Sequence, residues 1–196
     1  DIVSRLPNTI KNFKKRGISM NKLLVVVDMQ NDFIDGTLGT NEAVSIVPMV
    51  EKKIVQWDGD IVCTLDTHSE DYLTTKEGQK LPVVHCVKDS DGWQINDRVC
   101  VAVKTSRKDV KVFTKETFGS IELAEYIKRQ GYDYIEFIGL CTDICVISNV
   151  LITKAMIPEA TIVVDAACCA GVTIDSHKNA LSAMNACQID IVNSVC

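Results

Sequence analysis

A chain of 196 residues, 46% hydrophobic and 24% charged, is long enough to bury a sizeable core as one globular domain. Its net charge of −5 and pI near 5.2 argue against a nucleic-acid-binding face. No apolar run approaches the ~18 residues of a membrane span.

Residues 1–19 differ in character from the rest of the chain. Ile2, Leu6, Ile10 and Phe13 could share one helical face beside Lys11, Lys14, Lys15 and Arg16, but no apolar core is long enough for a signal peptide. This segment reads as an added or upstream extension, with a basic amphipathic contact helix as the alternative. A single domain is expected over 20–196.

Leu23-Leu24-Val25-Val26-Val27 is a continuous apolar run ending at Asp28, the pattern of a central parallel strand buried on both faces. Asp35-Gly36 marks a turn. Asn41 to Gln56 predicts a helix with Val44, Val47, Val50, Ile54 and Val55 inward and a late start or kink at Pro48. Asp60 to Leu65 predicts a second strand, followed by Asp66 and then by a polar, irregular stretch to about Gly92. Lys111 to Thr114 is a short third strand ending at Lys115, and Ser120 to Gln130 a helix. Tyr134 to Ile138 is a fourth strand, Ala160 to Val164 a fifth, Asp175 to Ala186 a helix and Gln188 to Val192 a sixth strand. Strands alternating with helices imply an α/β fold, a three-layer Rossmann-like sandwich around a mostly parallel six-stranded sheet. In such sheets ligands collect at the carboxyl ends of the strands. Asp28, Asp66, Lys115, Cys145 and Asp165 all fall just past predicted strand ends.

The nine cysteines are odd in number and scattered, with Cys63, Cys100 and Cys187 inside apolar, strand-like runs. That usage fits reduced thiols in a cytoplasm better than a disulfide framework. Cys141 and Cys145 are spaced CxxxC and Cys168-Cys169 are adjacent, so neither pair has CxxC spacing.

Gly139-Leu140-Cys141-Thr142-Asp143-Ile144-Cys145-Val146 joins the fourth strand to an apolar helix over Ile147 to Met156. With Thr142 or Asp143 as the cap, Cys145 falls in the first helical turn. Free backbone N–H groups and the positive end of the helix dipole there favour a thiolate and can hold an oxyanion. Cys145 is therefore a candidate nucleophile, with Asp28 as proton acceptor and Lys115 as the balancing cation. Taken singly, each is as readily a packing residue, a cap or a surface charge.

Val27-Asp28-Met29-Gln30-Asn31-Asp32-Phe33, Thr114-Lys115 and Gly139 to Val146 together resemble the three signatures of the isochorismatase-like cysteine hydrolases, in the same order and spacing. The resemblance runs from about Leu23 to Val192. It implies a catalytic triad of Asp28, Lys115 and Cys145, with a cis Leu140–Cys141 bond aiming the N–H groups of Cys141 and Cys145 at one oxyanion position. Phe33 would form an aromatic wall of the substrate pocket, beside Leu140 and Cys141.

Two of the three histidines fall in the polar stretch, as Asp66-Thr67-His68 and His85, with Glu77 between. Imidazole with carboxylate suits Zn, Mn or Fe(II), although surface histidines beside an acid would look the same. Resemblance to the nicotinamidase and pyrazinamidase type within the family implies one divalent ion, zinc first, held by Asp66, His68, Glu77 and His85, with Glu70 and Asp71 as substitutes for Glu77. That type commonly has an aromatic just before the final His, where this chain has Leu81-Pro82-Val83-Val84; Trp93 could serve from a loop. His177 is expected to be structural or exposed.

The expected activity is hydrolysis of a small carboxamide such as nicotinamide through a Cys145 thioester. The alternatives are another small amide, ureido or carbamoyl compound, or a catalytically silent small-molecule-binding protein. Association into a homo-oligomer is compatible with the sequence.

Overall fold

The structure is a computed structural model describing residues 20–194; the extension expected over 1–19 lies outside the described residues. Six parallel strands form one sheet in the order β3-β2-β1-β4-β5-β6. They are β1 (Lys22–Val27), β2 (Asp60–Asp66), β3 (Lys111–Lys115), β4 (Tyr134–Leu140), β5 (Thr161–Ala170) and β6 (Asp190–Val192). The helices are α1 (Asn31–Ile34), α2 (Asn41–Gln56), α3 (Lys76–Lys80), α4 (Asp97–Ser106), α5 (Ile121–Gln130), α6 (Ile147–Met156) and α7 (Ile174–Ala186). The expected three-layer α/β sandwich is thus what the chain forms.

The period-2 geometry of β1 divides the core. Leu24 and Val26 pack beneath α2 and α4, against Ile46, Val50, Ile54 and Val99. Leu23, Val25 and Val27 face the other way, toward Leu123 and Ile127 of α5, Val150 of α6 and Met184 of α7. β1 is buried on both faces because helices cover both, which is why it reads as an unbroken apolar run.

Several expectations are corrected. Helix α2 starts on time, at Asn41, with the Thr40 side chain accepting from Ala43 N. It passes through Pro48, which lies on the exposed face, so the carbonyl losing its partner is that of the exposed Val44. The buried stripe is Ala43, Ile46, Val47, Val50 and Ile54; Val44 and Val55, about 100° off that stripe, point to solvent. Helix α4 was not expected, because only Val99 and Ala102 of its ten residues are buried and the periodic signal is weak.

Strand β5 runs six residues past its predicted end, so Asp165 lies mid-strand rather than beyond a strand end. The sheet register between β4 and β5 shifts between Phe137 and Gly139, which accommodates the extra length. Asp165 and Glu136, both buried, join the partly exposed Lys53 of α2 in an ion triad, with Lys53 Nζ 2.6 Å from each carboxylate. Among the apolar-run cysteines only Cys63 is in a strand; Cys100 is in α4 and Cys187 caps α7 in an exposed position. All eight cysteines of the described residues are free thiols. Among those residues no helix is long and apolar enough to cross a membrane.

Candidate active site

The carboxyl ends of β1 to β4 place Asp28, Asp66, Lys115 and the cysteine turn along one edge of the sheet. Gly139 makes the closest approach possible. It pairs with Val27 at φ +116°, and a Cβ there would lie 2.1 Å from the Val27 carbonyl oxygen. The chain after β4 is thereby laid directly against the chain after β1. The Leu140–Cys141 peptide is cis, as the resemblance implies.

The next five residues, Thr142–Val146, form a wide π-type turn ahead of α6, and neither Thr142 nor Asp143 caps it. Both side chains tie the turn outward instead. Thr142 Oγ1 is 2.8 Å from His177 Nδ1, and the Asp143 carboxylate accepts from Val172 N at 3.1 Å. His177 thus holds the cysteine turn against α7. Cys145 is buried within the π-type turn rather than in an α-helical first turn.

Lys115 sits among three partners. Its Nζ is 2.7 Å from Asp28 Oδ2 and 3.0 Å from Asp66 Oδ1, and donates to Cys145 Sγ at 3.4 Å. Asp28, fully buried at φ +46°, also accepts from Thr64 Oγ1 at 2.6 Å. Burial raises the Asp28 pKa above the usual carboxylate range, with Lys115 opposing and the Asp66 charge adding to the rise. Burial, then the Asp28 charge, likewise raises the Cys145 thiol well above its ordinary value, against the lowering by Lys115. Burial works against the Lys115 cation, but Asp28, Cys145 and Asp66 together raise it above the ordinary lysine value. The arrangement sets a thiol beside a lysine and a carboxylate that titrate together, a set in which the carboxylate can accept the thiol proton.

Asp66 serves two groups at once. Its Oδ1 faces Lys115, while its Oδ2 lies 3.0 Å from His68 Nε2 and 3.7 Å from His85 Nε2. Glu77 Oε1 lies 3.7 Å and 3.9 Å from the same two nitrogens. A parallel bridge between His68 and Val87 brings the two histidines together, with His68 N donating to Cys86 O at 2.9 Å. Tyr72, buried between them, packs on both imidazoles at 4.5 Å and 4.9 Å between ring centroids. Sequence reasoning missed Tyr72, which sits in the polar stretch with no periodic pattern around it.

These residues fit a divalent cation. One donor atom from each of Asp66, His68, Glu77 and His85 lies within 4.8 Å of the others. An ion with ligand bonds of about 2.1 Å brings donors to within about 4.2 Å of one another, so only small adjustments are needed. His85 Nδ1 lies 2.8 Å from Val83 O, and donation there leaves Nε2 with its lone pair toward the group. Burial raises Asp66, but its contacts with His68 and His85 and the Lys115 charge hold it below the usual carboxylate range. Burial and the Asp66 charge raise Glu77, the imprint of two carboxylates held close together. Glu70 and Asp71, the proposed substitutes, are exposed and outside the group.

A cavity of about 600 Å³ opens onto both groups, lined by Asp66, Glu77, His85 and Cys145 and by Phe33, Leu140 and Cys141. Phe33 stands 5.5 Å from the His85 ring. Trp93 does not reach the cavity; its Nε1 donates to Thr67 Oγ1 at 2.8 Å and its carbonyl accepts from Gln30. Phe118 and Val172, which do line it, carry no motif and were not legible in the sequence.

Among solved structures, the chain is similar to a nicotinamidase/pyrazinamidase from Bacillus subtilis, with TM-score 0.74 and 22% identity over 88% of this chain and 99% of that one. A pyrazinamidase of Pyrococcus horikoshii in complex with zinc matches with TM-score 0.73 and 24% identity over 89% and 99%. At those identities the likeness establishes the fold. A curated relative, the nicotinamidase of Saccharomyces cerevisiae, is 25% identical over 189 residues, covering 74% of this chain and 86% of that one. The family described as the Isochorismatase domain matches residues 22–194, nearly the whole chain and all four strand ends that build the site. The chain belongs to the isochorismatase family, and within it resembles the nicotinamidase and pyrazinamidase type of hydrolase.

Proposed function

We propose that the protein is a metal-containing cysteine amidohydrolase that cleaves a carboxamide, nicotinamide being the reference substrate, to the carboxylate and ammonia. The observation that carries the reading is Lys115 Nζ within 3.4 Å of Cys145 and in ion-pair contact with both Asp28 and Asp66. This links a nucleophile, its base and the metal-type group through one cation. The nicotinamidase relative and the zinc complex of a pyrazinamidase support the same reading.

Cys145 attacks the carboxamide carbon as its proton passes to Asp28. Lys115 holds the Asp28 carboxylate in place and offsets the negative charge that builds on sulfur and oxygen. The backbone N–H groups of Cys141 and Cys145 receive the oxyanion. Asp28 then delivers its proton to the departing nitrogen, ammonia leaves, and a thioester remains on Cys145. Asp28 next takes a proton from water, which attacks the thioester, and returns it to the Cys145 sulfur as the C–S bond breaks and the acid leaves. A divalent ion held by Asp66, His68, Glu77 and His85, zinc first by its mixed imidazole and carboxylate donors, would supply a Lewis-acid anchor for a ring nitrogen. Phe33 and Leu140 flank the substrate with apolar surface. Eight free thiols among the described residues suit a reducing compartment such as the cytoplasm.

Ammonia release from a panel of carboxamides by zinc-loaded protein tests the assignment. Cys145→Ala is expected to lose turnover by at least ~10³-fold with the fold retained, and mass spectrometry of quenched wild type to show an acyl adduct on Cys145. Cys141→Ala is expected to keep activity, because only its backbone is used. Equal losses in the two variants would point to a redox pair and overturn the assignment.

A further inference from the structure

The cavity is large for a one-ring carboxamide. Its volume of about 600 Å³ lies within the ~300–1,000 Å³ of sites that enclose drug-sized ligands. Its lining includes Cys145 together with Asp66, Glu77 and His85 of the metal-type group. Three large, partly exposed apolar side chains of the lining arrive from three separate connections. Leu81 follows α3, Phe118 follows β3 and Val172 follows β5. They are 36%, 43% and 52% exposed.

Each is held by the machinery of the site itself. The Leu81 carbonyl accepts from Tyr72 Oη at 3.0 Å, and Tyr72 is the ring that packs on both histidines. Val172 N donates to Asp143 in the cysteine turn. Phe118 O accepts from Asn149 Nδ2 at 3.2 Å, and the same Nδ2 donates to Cys145 O at 2.8 Å. Apolar side chains anchored to the catalytic framework and lining the same cavity as the reacting groups form a recognition surface for the ligand that those groups meet. Lys76, Lys80 and Glu116 also line the cavity and bring charges of both signs.

We propose that the substrate is an aromatic carboxamide bearing a further apolar substituent, which seats among Leu81, Phe118 and Val172 while the amide carbon lies against Cys145. This specificity rests on the amidohydrolase reading. It also gives a reason for Leu81-Pro82-Val83-Val84 where the nicotinamidase type carries an aromatic: the wall is opened rather than stacked on a lone ring.

The test compares kcat/KM for nicotinamide with its 5-propyl, 5-butyl and 5-phenyl derivatives, using zinc-loaded wild type and Phe118→Ala. The substituted amides are expected to exceed nicotinamide by ~10-fold or more, the gain a filled apolar subsite gives. Phe118→Ala is expected to reduce that ratio by about tenfold. Calorimetry with zinc-loaded Cys145→Ala, comparing nicotinate with 5-phenylnicotinate, reads the subsite without turnover and is expected to favour the phenyl compound by ~10-fold or more. If nicotinamide is hydrolysed and the substituted amides are equal or poorer, as when a second copy of the chain covers these side chains, the proposal is overturned and the amidohydrolase reading stands. If no amide is hydrolysed, the amidohydrolase reading fails, and the calorimetric ratio alone then decides the apolar subsite.

Discussion

Asp28 carries two burdens that a substitution can separate. In the proposed mechanism it accepts the thiol proton during attack, and its charge adds to the burial that raises the thiol pKa. Burial is the larger cause of the raised Cys145 pKa, but the Asp28 charge is the next, so removing it lowers the thiol pKa. Asp28→Asn is therefore expected to make Cys145 react faster with iodoacetamide at neutral pH while amide turnover falls by ~10²–10⁴-fold. Alkylation needs only a thiolate; amide cleavage also needs a proton at the leaving nitrogen. Near-normal amidase activity in Asp28→Asn would remove Asp28 as the proton carrier. That Asp28, Lys115 and Cys145 would come together was legible from their three motifs, because each lies at a strand end on the same edge of the sheet. The direction of the thiol's shift was not, because a helix-dipole argument presupposed a regular first turn and the structure puts Cys145 in a buried π-type turn.

At the scale of elements, the segment between β1 and α2 holds both halves of the site. Gln30, fully buried, donates to Asp66 O at 2.8 Å and to Trp93 O at 2.9 Å and accepts from Asp66 N at 2.8 Å. Asp32 Oδ2 accepts from Cys86 N at 2.7 Å, next to His85, and lies where a Cβ on Gly92 would come within 2.1 Å. One short stretch thus fixes the backbones of two proposed metal ligands. Gln30→Leu leaves Asp66 N, Asp66 O and Trp93 O without their partner and is expected to cost about 2–4 kcal/mol of stability. Zinc affinity, read by competition with a chelator, is expected to fall ~10–100-fold, as for other supports of ligating residues. Unchanged affinity would show that Asp66 is held by other means. The sequence displayed Gln30 and Asp32 within a motif but not their partners, which lie 36 and 54 residues away. The polar stretch between β2 and α4 showed no periodicity because its order comes from such long-range hydrogen bonds and not from an apolar face.

Across the whole molecule, the six strands and the layers were readable because the strand signals are strong, five continuous apolar residues in β1 being the clearest. What escaped was the interior polar contact between layers. Asp165 looked like a strand-end residue, yet it lies mid-strand, and with Glu136 it forms a buried pair of carboxylates answered by Lys53 from α2. Burial works against the Lys53 cation, but hydrogen bonds to Asp165 and Glu136 outweigh it and raise its pKa above 10.5. A lysine raised in the folded state contributes stability that is complete below the unfolded value and is lost as pH rises through the folded one. Lys53→Met keeps the length of the side chain but leaves two carboxylates buried together. It is expected to lower stability at pH 8 by about 2–4 kcal/mol, on the low side for a buried pair because the ammonium keeps some contact with water. Urea unfolding of both proteins from pH 8 to 11 should show the gap constant up to about 10.5 and narrowing above it, since only wild type has this proton to lose. Other lysines and tyrosines titrate equally in both and cancel in the difference. A gap that stayed constant to pH 11 would mean that the ammonium does not carry the contact, leaving packing of the Lys53 methylenes beneath α2 as the source of its stabilisation.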